Sequence, residues 1–100
     1  MNNIYFTVAG LSHYFGVKLF KEGMELILEK EEENDYDNEA IVVKLAGLGK
    51  VGYVANSVNT VLGDTFSAGR LYDKFENKAK AKVVYLIEER NSIICEFIAE

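Results

Sequence analysis

Short runs of β-branched and aromatic residues, separated by turns, occupy most of this chain and constrain its fold more than any other feature. The segments that we predict as strands are residues 4–9, 24–28, 40–45, 51–54, 80–88 and 92–98. A Gly-Leu-Gly turn joins the third to the fourth, and a Glu-Arg-Asn turn joins the last two, so the sequence predicts two β-hairpins. Helix-long crossovers between the strands are missing, which excludes a doubly wound α/β domain.

One segment has helical periodicity instead. Its apolar face is formed by Val58, Val61, Leu62, Thr65 and Phe66. With Asn56 or Ser57 as N-cap and Gly69 as a C-terminal stop, this spacing predicts a helix near residues 57–68. A chain of 100 residues has room for one core, so we expect a single domain over residues 1–100. The economical fold is mainly β, a small six-stranded barrel with one covering α-helix.

Charge is distributed unevenly along the chain, whose net charge is −5. Residues 29–39 hold seven acidic residues and one lysine, whereas residues 70–82 hold five basic and two acidic residues. Because affinity for phosphate backbones comes largely from clustered lysine and arginine, the total charge argues against a general nucleic-acid binder. Lys78, Lys80 and Lys82 share one strand face, which is either a solvated surface or a track for phosphates.

Several function classes find no support in the sequence. The apolar runs are far shorter than the ~20 residues that cross a bilayer, and the amino terminus lacks a secretory signal pattern, so we expect a cytoplasmic protein without a membrane partner. The lone cysteine, Cys95, is expected to be a buried hydrophobe. One histidine, one cysteine and an acidic alternation that lacks the EF-hand glycine suggest no catalytic residue, metal site or cofactor. We therefore expect no enzymatic activity.

One motif is more specific than these patterns. The stretch Asn-Asp-Tyr-Asp-Asn-Glu-Ala-Ile-Val-Val at residues 34–43, followed by Lys-Val-Gly-Tyr-Val at residues 50–54, closely resembles the central signature of HIRAN domains. The opening residues 8–16 resemble the first element of that family, and Gly23 followed by Leu26 matches its next turn and strand. The resemblance covers roughly residues 4–70 and implies an OB-like barrel that binds DNA.

The resemblance also implies a site for the 3′ end of single-stranded DNA. In DNA-binding relatives, aromatic rings hold the terminal bases and an aspartate receives the 3′-hydroxyl. The corresponding residues of this chain are Ser12, His13, Tyr14, Asn34, Tyr36, Asp37 and Tyr53. Tyr36, His13 and Tyr14 would stack on bases and Asp37 would accept the hydroxyl, while Asn34 would support the loop and Tyr53 takes the Gly-Tyr position. A helicase or nuclease would then act with this module in trans.

Three features of the sequence depart from the family pattern and keep alternatives open. Asp35 replaces the usual proline, Ser12 stands where DNA-binding relatives carry a basic residue, and three glutamates at residues 31–33 add negative charge beside the site. Tyr36 could equally be a half-buried ring that anchors its loop, with Asp37 capping backbone N–H groups. The rival function is a protein-interaction or adaptor module that keeps the barrel, has lost DNA binding, and meets a basic partner through its acidic loop.

Overall fold

The computed structural model describes residues 3–99, which form a closed six-stranded barrel. The strands are β1 (Tyr5–Ala9), β2 (Glu25–Lys30), β3 (Ile41–Leu45), β4 (Gly49–Val54), β5 (Lys78–Ile87) and β6 (Ser92–Ala99). Their order around the barrel is β1-β4-β3-β2-β5-β6, and every neighbouring pair is antiparallel. The mainly β, OB-like barrel expected from the strand pattern and the HIRAN resemblance is confirmed.

Both predicted hairpins are present. Strands β3 and β4 are joined at Gly47, whose φ of +85° places it in the left-handed region that glycine tolerates. Strands β5 and β6 are joined by a 3₁₀ turn at Glu88–Arg90, and Asn91 adopts the left-handed conformation with φ 49°. Asparagine is among the few other residues that enter this region readily, which explains why the turn forms there.

The helix prediction for residues 57–68 is wrong. Residues 57–60 form a single turn, and the only α-helix within residues 3–99 is α1 (Ala68–Tyr72), with Ser67 as its N-cap. Gly63 takes a left-handed φ of +57° and interrupts the helical path. The backbone N–H of Phe66 then donates to the carbonyl oxygen of Tyr5 at 2.7 Å, and Phe66 forms an isolated parallel bridge with Phe6 of β1. Tertiary pairing overrides the apolar spacing that indicated a helix.

The barrel interior is filled by apolar side chains from all six strands and from α1. Its largest fully buried members are Phe6, Leu11, Leu26, Leu28, Ile41, Leu71 and Ile93. Cys95 is fully buried among them, as expected, and burial raises the pKa of its thiol to about 12. Of the helices in residues 3–99, none has the length and apolar character needed to cross a membrane.

Candidate nucleic-acid interface

A groove of about 810 Å³ opens at one side of the barrel, between the turn that follows β1, the loop from residue 31 to residue 40, and the end of β4. It is lined by Ala9, Gly10, His13, Asn34, Tyr36, Asp37, Ala40, Tyr53, Val54, Ala55, Asn56, Ser57 and Thr60. Buried small residues such as Ala40 and Ala55 provide apolar contact surface, while tyrosine, asparagine and aspartate provide polar groups. This mixture suits a ligand with a flat apolar face and a few hydrogen-bonding atoms.

The loop is held in shape by the side chain of Asn34. Its Oδ1 accepts hydrogen bonds from the backbone N–H groups of Tyr36 at 2.8 Å and of Asp37 at 2.9 Å. An asparagine that bonds the backbone two and three residues later replaces a backbone turn with its own side chain. The structure therefore places Asn34 beneath the two residues for which a ligand role is predicted, in a position that fixes their backbone.

Glu31 fixes Asn34 in turn. Its Oε1 accepts hydrogen bonds from Asn34 Nδ2 at 2.8 Å and from the Tyr53 hydroxyl at 2.7 Å, and its Oε2 lies 3.0 Å from Lys50 Nζ. Burial alone would raise the pKa of Glu31, but the three hydrogen bonds and the Lys50 charge outweigh it and lower that pKa below its ordinary value. Glu31 is thus an ionised side chain that anchors the loop and whose charge is paired with Lys50.

Tyr53 contributes to one wall of the groove, and its hydroxyl is committed to Glu31. Burial, together with the hydrogen bond to that carboxylate, raises the pKa of Tyr53 to about 12. The preceding Gly52 lies so close to β1 that an added Cβ would stand 2.9 Å from the carbonyl oxygen of Ala9. The Gly-Tyr pair therefore has a structural reason: glycine lets β1 approach β4, and tyrosine ties β4 to the loop.

Asp37 has two partners within the protein. Its Oδ1 accepts from the backbone N–H of Glu39 at 2.9 Å, and its Oδ2 accepts from Asn56 Nδ2 at 3.0 Å. The capping role considered for Asp37 is therefore present. A carboxylate has about four lone-pair sites, so these two bonds leave acceptor capacity on both oxygens. The partly exposed carboxylate can still accept a hydrogen bond from a ligand in the groove.

The ring of Tyr36 is not an anchor. Its side chain is 98% exposed, so the alternative of a half-buried ring holding the loop to the barrel is wrong. An aromatic residue left almost wholly in water gains nothing from burial, yet it offers a flat face for stacking on a base. Because Tyr36 lies beside Asp37 at the edge of the groove, its exposed ring is available to stack on a ligand there.

The turn after β1 supplies His13. The chain enters a 3₁₀ turn at Leu11–His13 through Gly10, whose φ of +72° permits the sharp bend, and Leu11 is buried beneath it. The exposed His13 side chain lines the groove, whereas Ser12 and Tyr14 lie on the same surface turn but not among the lining residues. Five of the predicted residues therefore meet at the groove: His13, Asn34, Tyr36, Asp37 and Tyr53.

Sequence reasoning missed Asn56, Ser57 and Thr60 as lining residues, because residues 56 and 57 were interpreted as a helix cap. Asn56 also joins two parts of the site, since its Nδ2 donates to Asp37 and its Oδ1 accepts from the Gly69 N–H at 2.9 Å. A polar residue two positions after the strand that ends in Gly-Tyr-Val is a usable signal. The partners of Asn56, which are Asp37 and Gly69, are distant in sequence and could not be predicted from a local pattern.

The HIRAN domain family model matches residues 1–100. This chain belongs to the HIRAN family. HIRAN domains are DNA-binding modules, so DNA is the class of ligand expected from membership of the family. None of the curated proteins that were compared gives a significant match.

Two solved structures resemble the fold. The HIRAN domain of human HLTF superposes with a TM-score of 0.69 at 18% sequence identity, covering 98% of this chain and 74% of that one. A protein from Lactobacillus plantarum superposes with a TM-score of 0.66 at 21% identity, covering 98% of this chain and 95% of that one. At these identities the likeness establishes the HIRAN barrel, while the ligand has to be argued from the groove.

Proposed function

We propose that this HIRAN domain recognises the 3′ end of single-stranded DNA and presents it to a DNA-processing enzyme, such as a helicase or nuclease, that acts in trans. Tyr36 and His13 stack on the terminal bases at the groove, and Tyr14 contacts the strand at its rim. Asp37 accepts a hydrogen bond from the 3′-hydroxyl. The chain itself is not an enzyme, and we place it in the cytoplasm.

A single observation carries this proposal: the almost fully exposed ring of Tyr36 stands next to the Asp37 carboxylate in one groove. A base offers a π-face whatever its identity, and stacking of this kind contributes ~1–3 kcal/mol per base. The neighbouring carboxylate accepts a charge-assisted hydrogen bond from a hydroxyl group. Tyr36 would therefore bind a base whatever its identity, and Asp37 would recognise a free 3′-hydroxyl.

The same carboxylate explains the choice of end. A 3′-phosphate, or the continuing backbone of an internal position, would bring negative charge against Asp37 and would be repelled. Asp37 is held by Glu39 and Asn56, so it cannot simply rotate away without breaking those bonds. We expect a discrimination of about 1–3 kcal/mol, the typical cost of leaving a polar group without its partner.

The acidic loop opposes DNA less than its sequence suggests. Glu31 is paired with Lys50, so its charge is compensated locally. Glu32 and Glu33 are exposed and, with the exposed Asp35 and Glu39, remain sources of repulsion beside the groove. Their exposure also supports a second candidate, an adaptor that uses this loop to bind a basic protein partner and does not bind DNA.

The test is a fluorescence titration with two oligonucleotides that differ only in a 3′-hydroxyl or a 3′-phosphate. The parent should bind the hydroxyl end more tightly, and Asp37→Asn should lose most of this preference. Asp73→Asn, which removes an exposed charge outside the groove, should keep it. Equal affinity for both ends in the parent would rule out hydroxyl recognition, and no binding of either strand would favour the adaptor.

A further inference from the structure

A second groove adjoins the first. Its volume is about 500 Å³, and it is lined by Asn56, Ser57, Val58, Val61, Gly63, Asp64, Thr65, Ser67 and Arg70. Asn56 and Ser57 line both grooves, so the two depressions adjoin at this pair of residues. A strand whose terminal nucleotide occupies the first groove can therefore continue along the surface into the second.

Arg70 gives this second groove a positive group in a fixed place. The centre of its guanidinium lies 3.9 Å from the centre of the Phe66 ring, a distance at which cation–π attraction holds the group over the ring. In the part of the chain that the structure describes, no carboxylate lies within 4.0 Å of this guanidinium. Its N–H groups remain available for a phosphate, which arginine binds with its planar fork.

A hydrogen-bonded chain connects Arg70 to the proposed end-reading carboxylate. Asp37 accepts from Asn56, and Asn56 accepts from the backbone N–H of Gly69, the residue that precedes Arg70. Ser67 caps the same short helix by accepting from the Arg70 N–H at 3.3 Å. The position of Arg70 relative to Asp37 is therefore set by the fold.

On the basis of the proposed end recognition, we infer that the second groove carries the nucleotides that precede the 3′ terminus and that Arg70 binds one of their phosphates. Val58 is 95% exposed at this groove and offers an apolar contact to a sugar or base. Asp64 lines the same groove, so the phosphate lies on the Arg70 side of it. Asp37 thus fixes the strand's end, and Arg70 fixes its direction.

The inference is tested with a dinucleotide and an octanucleotide of thymidine, both ending in a 3′-hydroxyl. Arg70→Gln should weaken octanucleotide binding about two- to fivefold at low salt, the range expected for one exposed charge pair. The slope of log affinity against log salt should fall by about 0.7, the value for one phosphate contact on a single strand. Dinucleotide binding and the preference for a 3′-hydroxyl over a 3′-phosphate should not change.

Two further variants separate phosphate binding from packing. Lys74→Gln removes an exposed positive charge just beyond α1 that lines neither groove, so it should leave octanucleotide affinity close to that of the parent. Arg70→Lys keeps the charge and should restore the salt slope. An unchanged octanucleotide affinity in Arg70→Gln, an equal loss for both oligonucleotides, or a failure of Arg70→Lys to restore the slope would each overturn the inference.

The proposed function can fail independently of the second groove. If the parent does not distinguish 3′-hydroxyl from 3′-phosphate ends, but Arg70→Gln still weakens the octanucleotide alone, end recognition is contradicted and the contact at Arg70 is supported.

Discussion

The groove and the outer face of β5 both carry the polar residues expected of a DNA-binding surface, but the two regions use them differently. On β5, Lys78, Lys80 and Lys82 point outward in strict alternation with buried alanine and valine. Two of these lysines form ion pairs with acidic residues of β2, with Lys78 Nζ 3.8 Å from Glu29 Oε2 and Lys80 Nζ 4.0 Å from Glu25 Oε1. The face with the higher positive charge is thus partly neutralised across the sheet.

In the groove, most hydrogen bonds within the protein are made by the residues that hold the loop. The residues that face the ligand keep groups free to bind it. Glu31 and Asn34 form hydrogen bonds that shape the loop, whereas Tyr36 is exposed and Asp37 retains acceptor sites. Exposed cross-strand ion pairs contribute little to stability and indicate no ligand by themselves. The most positively charged face is therefore partly compensated within the protein, whereas the groove keeps groups without a full set of partners, so charge counting and partner bonding indicate different surfaces.

The largest effect should follow the loss of the exposed ring. Tyr36→Ala should weaken binding of single-stranded DNA by ~1–3 kcal/mol at every salt concentration, because stacking is little screened by ions. Tyr85→Ala is the matched control, since Tyr85 is a 59% exposed tyrosine on β5. Fluorescence titrations at low and high salt measure both variants. If Tyr85→Ala weakens DNA binding as much as Tyr36→Ala, the groove is not preferred over the outer face of β5.

A smaller effect is expected at the anchor of the loop. Glu31→Gln should lower the free energy of unfolding by roughly 0.5–1.5 kcal/mol near neutral pH, because the Lys50 pair and charge-assisted hydrogen bonds are weakened. The pKa of Glu31 is lowered in the folded state from an ordinary value of 4.5. The ionised carboxylate therefore gives its full contribution to the free energy of unfolding above that value. The contribution is lost as the pH falls through the lower, folded-state pKa.

Urea unfolding of parent and Glu31→Gln between neutral and acidic pH measures this contribution. The stability difference between the two proteins should shrink as the solution becomes acidic. A difference that stays constant down to acid pH would show that the Glu31 charge does not hold the loop.

The smallest effect concerns the remaining loop charges. Replacing Glu32 and Glu33 with glutamine should strengthen DNA binding a few-fold at low salt, and the gain should fade as the Debye length shortens from ~10 Å at 0.1 M salt. Replacing Glu29, whose carboxylate pairs with lysines on the barrel wall, is the comparison. If the double variant binds no better than the parent at low salt, these charges do not face bound DNA.

Much of the fold could be predicted from the sequence, because alternation and turn residues are local. The hairpin at Gly47 and the outward face of β5 follow from patterns of a few residues. The helix could not be placed, since the hydrogen bond from Phe66 to Tyr5 competes with helical spacing and depends on distant pairing. The family motif located Tyr36 and Asp37, but no pattern indicated that Glu31 would be an anchor or that Asn56 would connect both grooves.

Nuclear magnetic resonance can distinguish DNA bound in the groove from DNA bound on the lysine face. Amide signals of the ¹⁵N-labelled protein are followed while a short 3′-hydroxyl oligonucleotide is added. If DNA occupies the groove, the shifts should be concentrated at residues 34–37, at Tyr53 and at residues 56–57, with residues 78–82 nearly unchanged. Shifts concentrated on residues 78–82, with the groove signals unmoved, would contradict it.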